Sequence, residues 1–517
     1  MKRKGLTTTV AICLIVQLTA IGISPVYGET GLALAKDTDM QTITADLKLI
    51  QDGKFTQADS RPGATTSQAS LENYIAAGLK ARKKTINISK YKVSATDAGM
   101  EKVHKATERA INNHPELFYI GTKMQTSYTS GYIVYVSVEY TMSAANTALA
   151  KKAFNGEVKK VLAAVDKSMT DYEKALTIHD YLIQSAAYDT RGKSVPSLSY
   201  RAYGILVNKI GVCQSYAMVY KYIMKDKLGI YCDYVNSKAL NHIWNVIKID
   251  GKYYQLDLTW DDDGKNDVLG KARHDHFLLS ESGMTKKHGG YKGTYNGSKV
   301  TAGKTHSKYN TWKNVASAIY VDKSQKIKDY YYIKDKALKK TNSSGTKSLD
   351  KITTSSYLAR KGKQLYYNDG KRIIGWQIGE SKEEVLEATP RITSGISLID
   401  GTLWYQSAST VYAGKTLTAI NTLPAPIVMS ATKKSSSSIS ITWNKLRMAQ
   451  GYEIYRRGSN QKTYTKVKTV GSTTYKYTNT NLAKGKKYYY RVKPLGLKTD
   501  NTKFKGTISN AVAATIP

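Results

Sequence analysis

The sequence predicts a multidomain chain in which an α+β core is followed by β-rich repeats and an all-β sandwich. Three observations predict it. Apolar residues recur at helical spacing up to about residue 230 and then give way to short alternating segments. Aromatic pairs recur between residues 308 and 422, and the last 95 residues alternate apolar and polar positions between turn residues.

Residues 1–28 carry a basic start of Lys2, Arg3 and Lys4, an apolar stretch, and small residues up to Gly28. This is the pattern of a secretory signal peptide, and no later segment is apolar enough to span a bilayer. Residues 29–70 are polar and lack periodicity, as expected of a flexible lead-in.

The core is expected over residues 71–307, beginning with an N-terminal α+β extension. "SLENYIAAGLKARKK" and "MEKVHKATERAINNHPELFYI" have helical spacing, and "GYIVYVSVEYTM" alternates as a half-buried strand does. In "TDYEKALTIHDYLIQSAAYD", Thr170 or Asp171 caps a helix with Ala175, Ile178, Leu182 and Ile183 on one face. Glu173 and Asp180 are expected as solvated charges on it, and His179 as a packing or hydrogen-bonding residue. Two more helical stretches follow in "SYRAYGILVNKIGVCQSYAMVYKYIMKDKLGI", then strands at "YCDYVNS", "HIWNVIKI" and "YYQLDLTW".

Over residues 308–422 the pairs Tyr331-Tyr332, Tyr366-Tyr367 and Trp404-Tyr405 lie 35 to 38 residues apart. They predict repeated hairpin units, too few to close a propeller and so an open meander or small sheet assembly. Residues 423–517 predict a sandwich. Trp443, Tyr452, Leu482, Gly485, Tyr488 and the "YYYRV" strand resemble the fibronectin type III pattern, with Tyr488 six residues after Leu482 at that family's tyrosine corner.

The chemistry centres on "GVCQSYAMVYKY". Unpaired N–H groups at a helix start favour a thiolate, and Cys213 stands at such a start, with Tyr216, Ala217, Tyr220, Ile223 and Met224 at burying positions. A nucleophilic cysteine needs a base, and "NHIWNVIKIDGKYYQLDLTWDDD" offers His242 with Asp257 to orient it. A two-residue turn at Asp250-Gly251 makes facing positions sum to 501, so His242 opposes Thr259 and Asp257 opposes Trp244. The histidine and the carboxylate then share a face as diagonal neighbours.

Three segments in order, "YGILVNKIGVCQSYA", "NHIWNVIKIDGKYYQLDLTWDD" and "HFLLSESGMTKKH", resemble the transglutaminase-like superfamily of papain-type cysteine enzymes over roughly residues 100 to 290. The resemblance implies an α+β papain-like core with Cys213 as nucleophile, His242 as general base and acid, and Asp257 orienting it. It makes Trp244, Asn245, Thr259, Trp260 and Asp261 supporting residues. One departure is Ser215, where bacterial relatives commonly have glycine; a hydroxymethyl there is expected to narrow the space beside the sulfur. Cys232 is expected as a strand residue with no disulfide to Cys213.

His274, His276 and His288 lie in a charged stretch without a completing ligand set, so neither metal nor cofactor is expected. The formal charge is +38, or +35 without Lys2, Arg3 and Lys4, and the lysines are spread along the chain. In a secreted protein lacking nucleic-acid-binding motifs, this points to an anionic cell-wall polymer or acidic cell surface as partner, not nucleic acid. The expectation is a secreted enzyme, extracellular or wall-associated, that hydrolyses or transfers acyl groups at amide bonds of protein or peptide substrates. Its rival is an inactive wall-binding or adhesion scaffold.

Overall fold

A computed structural model describes residues 41–46 and 66–517, apart from 193–194, 263–266, 296–309, 323–327, 355, 381–382, 417–422, 424 and 427. The expected signal peptide and most of the lead-in lie outside the described residues. Helices α1 (Thr66–Lys80) and α2 (Asp97–Asn112) pair, joined by Arg109 on Glu72 at 2.8 Å. They accompany an antiparallel sheet ordered Gln41–Asp46, Ile120–Thr129, Tyr132–Tyr140, Thr85–Asn87, with Val93–Ser94 also on the third strand.

Sequence periodicity missed α3 (Ala144–Ala163), whose alanines and lysines give only a weak apolar stripe. Helix α4 (Asp171–Ile183) has the expected N-cap: Thr170 Oγ1 accepts from Glu173 N–H, and the Glu173 carboxylate accepts from Thr170 N–H at 2.8 Å. Glu173 and Asp180 are buried, so their expected solvation is corrected. Glu173 also accepts from Lys328 and Tyr330, partners that a buried carboxylate needs. Helix α5 (Cys213–Lys221) packs on a sheet ordered Lys252–Leu256, His242–Ile249, Cys232–Ser237, Thr294–Tyr295. One apolar core runs continuously from Leu71 through these helices and strands to Tyr332.

The next region is three antiparallel sheets spanning Tyr320–Lys351, Leu358–Ala388 and Gly395–Thr416. Each aromatic pair sits on the second strand of its sheet, where neighbouring side chains point to opposite faces. Tyr332 joins the first core, Tyr331 and Tyr367 share the next, Tyr366 and Tyr405 the one after, and Trp404 reaches the C-terminal core. The repeat is therefore a stack of sheets in which each pair closes two successive apolar layers. Gly270 lets the chain pass over this stack at φ +86°; a Cβ there would lie 1.8 Å from Ile396 O.

The C-terminal unit is a two-sheet sandwich. One sheet holds Val428–Ser435, Ser438–Trp443 and Lys476–Asn479. The other is ordered Thr465–Gly471, Gly451–Gly458, Lys487–Leu497, Lys503–Lys505, and Val512–Thr515 also pairs with Lys487–Leu497. Trp443, Tyr452, Leu482 and Tyr490 fill its core, and Tyr488 Oη accepts from Ala483 N–H at 3.0 Å, the expected tyrosine-corner bond. Arg447 reaches back to Ala186 O and Asp267, while Asn444 donates to Asn208 Oδ1 at 2.7 Å. Among the described residues no helix is long and apolar enough to cross a membrane.

Candidate active site

Helix α5 starts at Cys213 because the preceding chain is pinned in extended form. Gly211 pairs with Tyr188, and Val212 N–H donates to Ser199 O at 2.9 Å. Val212 makes no side-chain cap, so the first-turn N–H groups are not spent on one. Asn245 Nδ2 donates to Ala217 O and Asp233 O, fixing α5 against the histidine strand. Cys213 and Cys232 are both free; Cys213 keeps 8% of its surface exposed and Cys232 none. Burial pushes the Cys232 thiol well above its ordinary range.

The Asp250-Gly251 turn, with both residues at positive φ, gives the expected register from Lys252 opposite Ile249 to Leu256 opposite Asn245. Pairing stops there. Asp257 caps a short helix α6 (Leu258–Asp261), so Thr259 is helical and does not oppose His242, which faces Ser237 instead. The structure nonetheless brings His242 and Asp257 together, Nε2 to Oδ2 at 2.6 Å, and Cys213 lies near enough to the His242 ring to favour its charged form. Trp244 and Trp260 flank that ring, 5.6 and 5.8 Å between centroids.

Burial opposes charge on His242, but the Asp257 carboxylate, and after it Cys213, hold its pKa up at about 10. Burial likewise works against the Asp257 charge. The His242 imidazolium and a bond from His288 outweigh it and keep that carboxyl far below its ordinary range. Asp257 Oδ1 accepts from Thr259 and Trp260 N–H at 3.0 and 3.2 Å, and Oδ2 from His242 and His288 Nε2, the latter at 3.0 Å. Every strong acceptor direction of the carboxylate is used, which fixes its plane and so the plane of His242.

Sequence reasoning missed His288 and a second buried network. His274, His276 and His288 are all buried, which corrects their expected place in a charged stretch. His288 brings an edge-on ring to Trp244 and Trp260, and burial holds it neutral, below its usual range. Behind it Asp261 binds His276 Nδ1 and His179 Nε2, each at 3.1 Å, and Asp180 binds His179 Nδ1 and His274 Nε2, each at 2.8 Å. The only sequence signal was the count of carboxylates and imidazoles in otherwise apolar segments. Among the described residues two sets of donor atoms could converge on a metal ion, those of His179, Asp180 and His274 and those of His242, Asp257 and His288. In both sets the hydrogen bonds above already satisfy the carboxylate.

Ser215 does not crowd the sulfur. Two residues on from Cys213 it points to the far side of α5, donating to Arg201 O at 2.6 Å and accepting from Ile205 N–H at 3.0 Å. The expected narrowing is thus corrected: the hydroxymethyl fills space against Gly211, where a Cβ would come within 2.8 Å of Ser215 Cβ.

A search of curated proteins finds no match. Solved structures similar to this chain include the Fn3-like protein from Clostridium thermocellum, at 26% identity over 17% of this chain and 92% of that one, with a TM-score of 0.15. The fn3 domain of human contactin 1 matches at 25% identity over 18% of this chain and 75% of that one, TM-score 0.16. A β-1,2-glucanase from Parabacteroides distasonis matches at 28% identity over 19% of this chain but only 13% of its own length, TM-score 0.16. Residues 159–258 match the profile of the Transglutaminase-like superfamily, a span that contains Cys213, His242 and Asp257. The chain is therefore multidomain, with a transglutaminase-like domain over residues 159–258 ahead of its β-rich C-terminal half.

Proposed function

We propose that this chain is a secreted cysteine enzyme that hydrolyses or transfers acyl groups at amide bonds of protein or peptide substrates, through Cys213, His242 and Asp257. The observation that carries the reading is His242 bonded to Asp257, with Cys213 at the start of α5 close enough to act on its ring. The Cys213 thiolate attacks the carbonyl, and its own backbone N–H with a second donor receives the oxyanion. His242 protonates the leaving amine and leaves an acyl-enzyme. Water completes hydrolysis; an amine completes transfer. The positive charge supports a place at an anionic wall polymer or acidic cell surface, the β-rich half positioning the enzyme there.

The rival reading, an inactive scaffold, rests on the high lysine content and on Ser215, whose hydroxyl is engaged away from the sulfur. The alkylation rate of Cys213 against pH, read by peptide mass spectrometry with Cys232 as internal control, separates the two. Cys213 is expected to label far faster than Cys232 at pH 7, and His242→Ala to slow it. Equal labelling in both proteins would make the chain a binder.

A further inference from the structure

The basic residues are spread along the chain, but the carboxylates that offset them are not. From Val428 to Pro517 eighteen Lys and Arg face two carboxylates, Glu453 and Asp500, so these 90 residues carry +16 of the total +38. In the sandwich, strand alternation sorts that charge. Tyr452, Ile454, Tyr490 and Val492 are buried, while Tyr455, Arg457, Tyr489, Arg491 and Lys493 turn outward.

The register places Tyr455 opposite Arg491, Arg457 opposite Tyr489, and Lys466 beside Tyr455. Cations consequently lie over rings. Arg457 is 4.0 Å from the Tyr489 centroid, Arg491 is 4.7 Å from that of Tyr464, and Lys493 is 5.6 Å from that of Tyr455. Rings that hold the guanidinium groups flat lower the entropy lost when they engage a ligand. The carboxylate of this face, Glu453, is bridged by Lys466 and Lys505, each at 3.3 Å, whose side chains stay 51% and 56% exposed. It is neutralised, and the face stays basic.

We propose that this face of the sandwich, the sheet carrying Arg457, Lys487, Arg491 and Lys493, binds a linear polymer of phosphodiester-linked units. The inference rests on the reading that the protein associates with an anionic surface polymer, and it names where. The face is a twisted sheet and offers its cations in rows, with successive outward residues about 6.6 Å apart along a strand, which suits an extended chain. Guanidinium forks match phosphate oxygens. Cations already occupy ring faces of Tyr455, Tyr464 and Tyr489, so the tyrosines are poor stacking platforms for bases, which disfavours single-stranded nucleic acid.

The test uses the full chain and lipid-free poly(glycerol phosphate), with oligo(dT) and hyaluronate as competitors. The variant Arg457→Gln/Lys487→Gln/Arg491→Gln/Lys493→Gln is compared with Lys433→Gln/Lys434→Gln/Lys476→Gln/Lys484→Gln, which removes equal charge elsewhere on the sandwich. The first is expected to weaken binding at least about tenfold and to flatten the slope of log K against log salt by about 2–3. The second is expected to weaken it less than about threefold, by screening alone. Arg457→Lys/Arg491→Lys keeps the charge but not the forks, and is expected to bind more tightly than the first quadruple variant and more weakly than wild type, which controls for misfolding. Equal losses from the two quadruple variants, or binding of oligo(dT) or hyaluronate as tight as that of the polyphosphate ester, would overturn the assignment while leaving a diffuse anionic partner in place. A wild-type chain that ignores poly(glycerol phosphate) at low salt would sink both the assignment and the surface-polymer reading beneath it.

Discussion

Replacing Asp257 by asparagine should reverse the proton on His242 without moving the chain. Oδ1 faces two N–H donors, Thr259 and Trp260, so the amide oxygen of an asparagine must stay on that side. Its NH2 then takes the place of Oδ2, which now accepts from His242 at 2.6 Å and from His288 at 3.0 Å. Both imidazoles must turn from donor to acceptor at Nε2 and carry their protons on Nδ1. On His242 both ring nitrogens are then committed, Nε2 to the amide and Nδ1 to its proton, so the ring cannot take the thiol proton. Loss of the correct tautomer in a triad lowers turnover about 10³–10⁴-fold, or about 4–5.5 kcal/mol in the barrier. His288 Nδ1 is buried without a partner, so a proton there would add about 1–3 kcal/mol of instability. The assay is the burst of p-nitrophenol released when an activated ester acylates Cys213, with Cys213→Ser as blank and ¹⁵N imidazole shifts reporting the tautomer. A burst within tenfold of wild type, or a His242 proton still on Nε2, would refute the reasoning.

Ser215→Ala leaves Arg201 O and Ile205 N–H without their buried partner, so denaturant unfolding should show about 2–4 kcal/mol of lost stability, with the ester burst unchanged. A burst that grows severalfold would instead mean that the hydroxyl obstructs the site. Stability should also depend on pH through His179, which burial discourages from charging but which Asp180 and Asp261 hold at about 9. Its folded pKa exceeds the unfolded value near 6.5, so its contribution, about 3 kcal/mol, is complete below pH 6.5 and is lost as pH rises towards 9. Asp180 and Asp261 are depressed, so theirs is present above about pH 4 and lost in stronger acid. Thermal melts should accordingly peak between about pH 4 and 6.5; a maximum near pH 9 would contradict the charged network. Arg447→Met removes the bonds to Ala186 O and Asp267 and should weaken docking of the sandwich by about 2–3 kcal/mol, seen as earlier release of the sandwich in limited proteolysis.

What the sequence made legible and what it hid follow from the range of the interactions. Local signals were readable: the Thr170 cap, the Asp250-Gly251 turn and the alternation of the sandwich strands are each set within a few residues. The His242–Asp257 pair was readable because one tight turn carries its register. Ser215 was misjudged because its partners, Arg201 and Ile205, come from an irregular segment ten to fourteen residues upstream. The histidine cluster was hidden for a stronger reason. His179, Asp261, His276 and His288 come from four segments, and no one of these segments taken alone shows that they meet. Assembled, Asp180, Asp257 and Asp261 each have two imidazole partners, so charges that would cost several kcal/mol singly are kept inside the core. The same burial that concealed them from a reading of polarity gives His242 its fixed ring plane. The supporting carboxylate network therefore has to be read from the fold and not from the motif that contains the nucleophile.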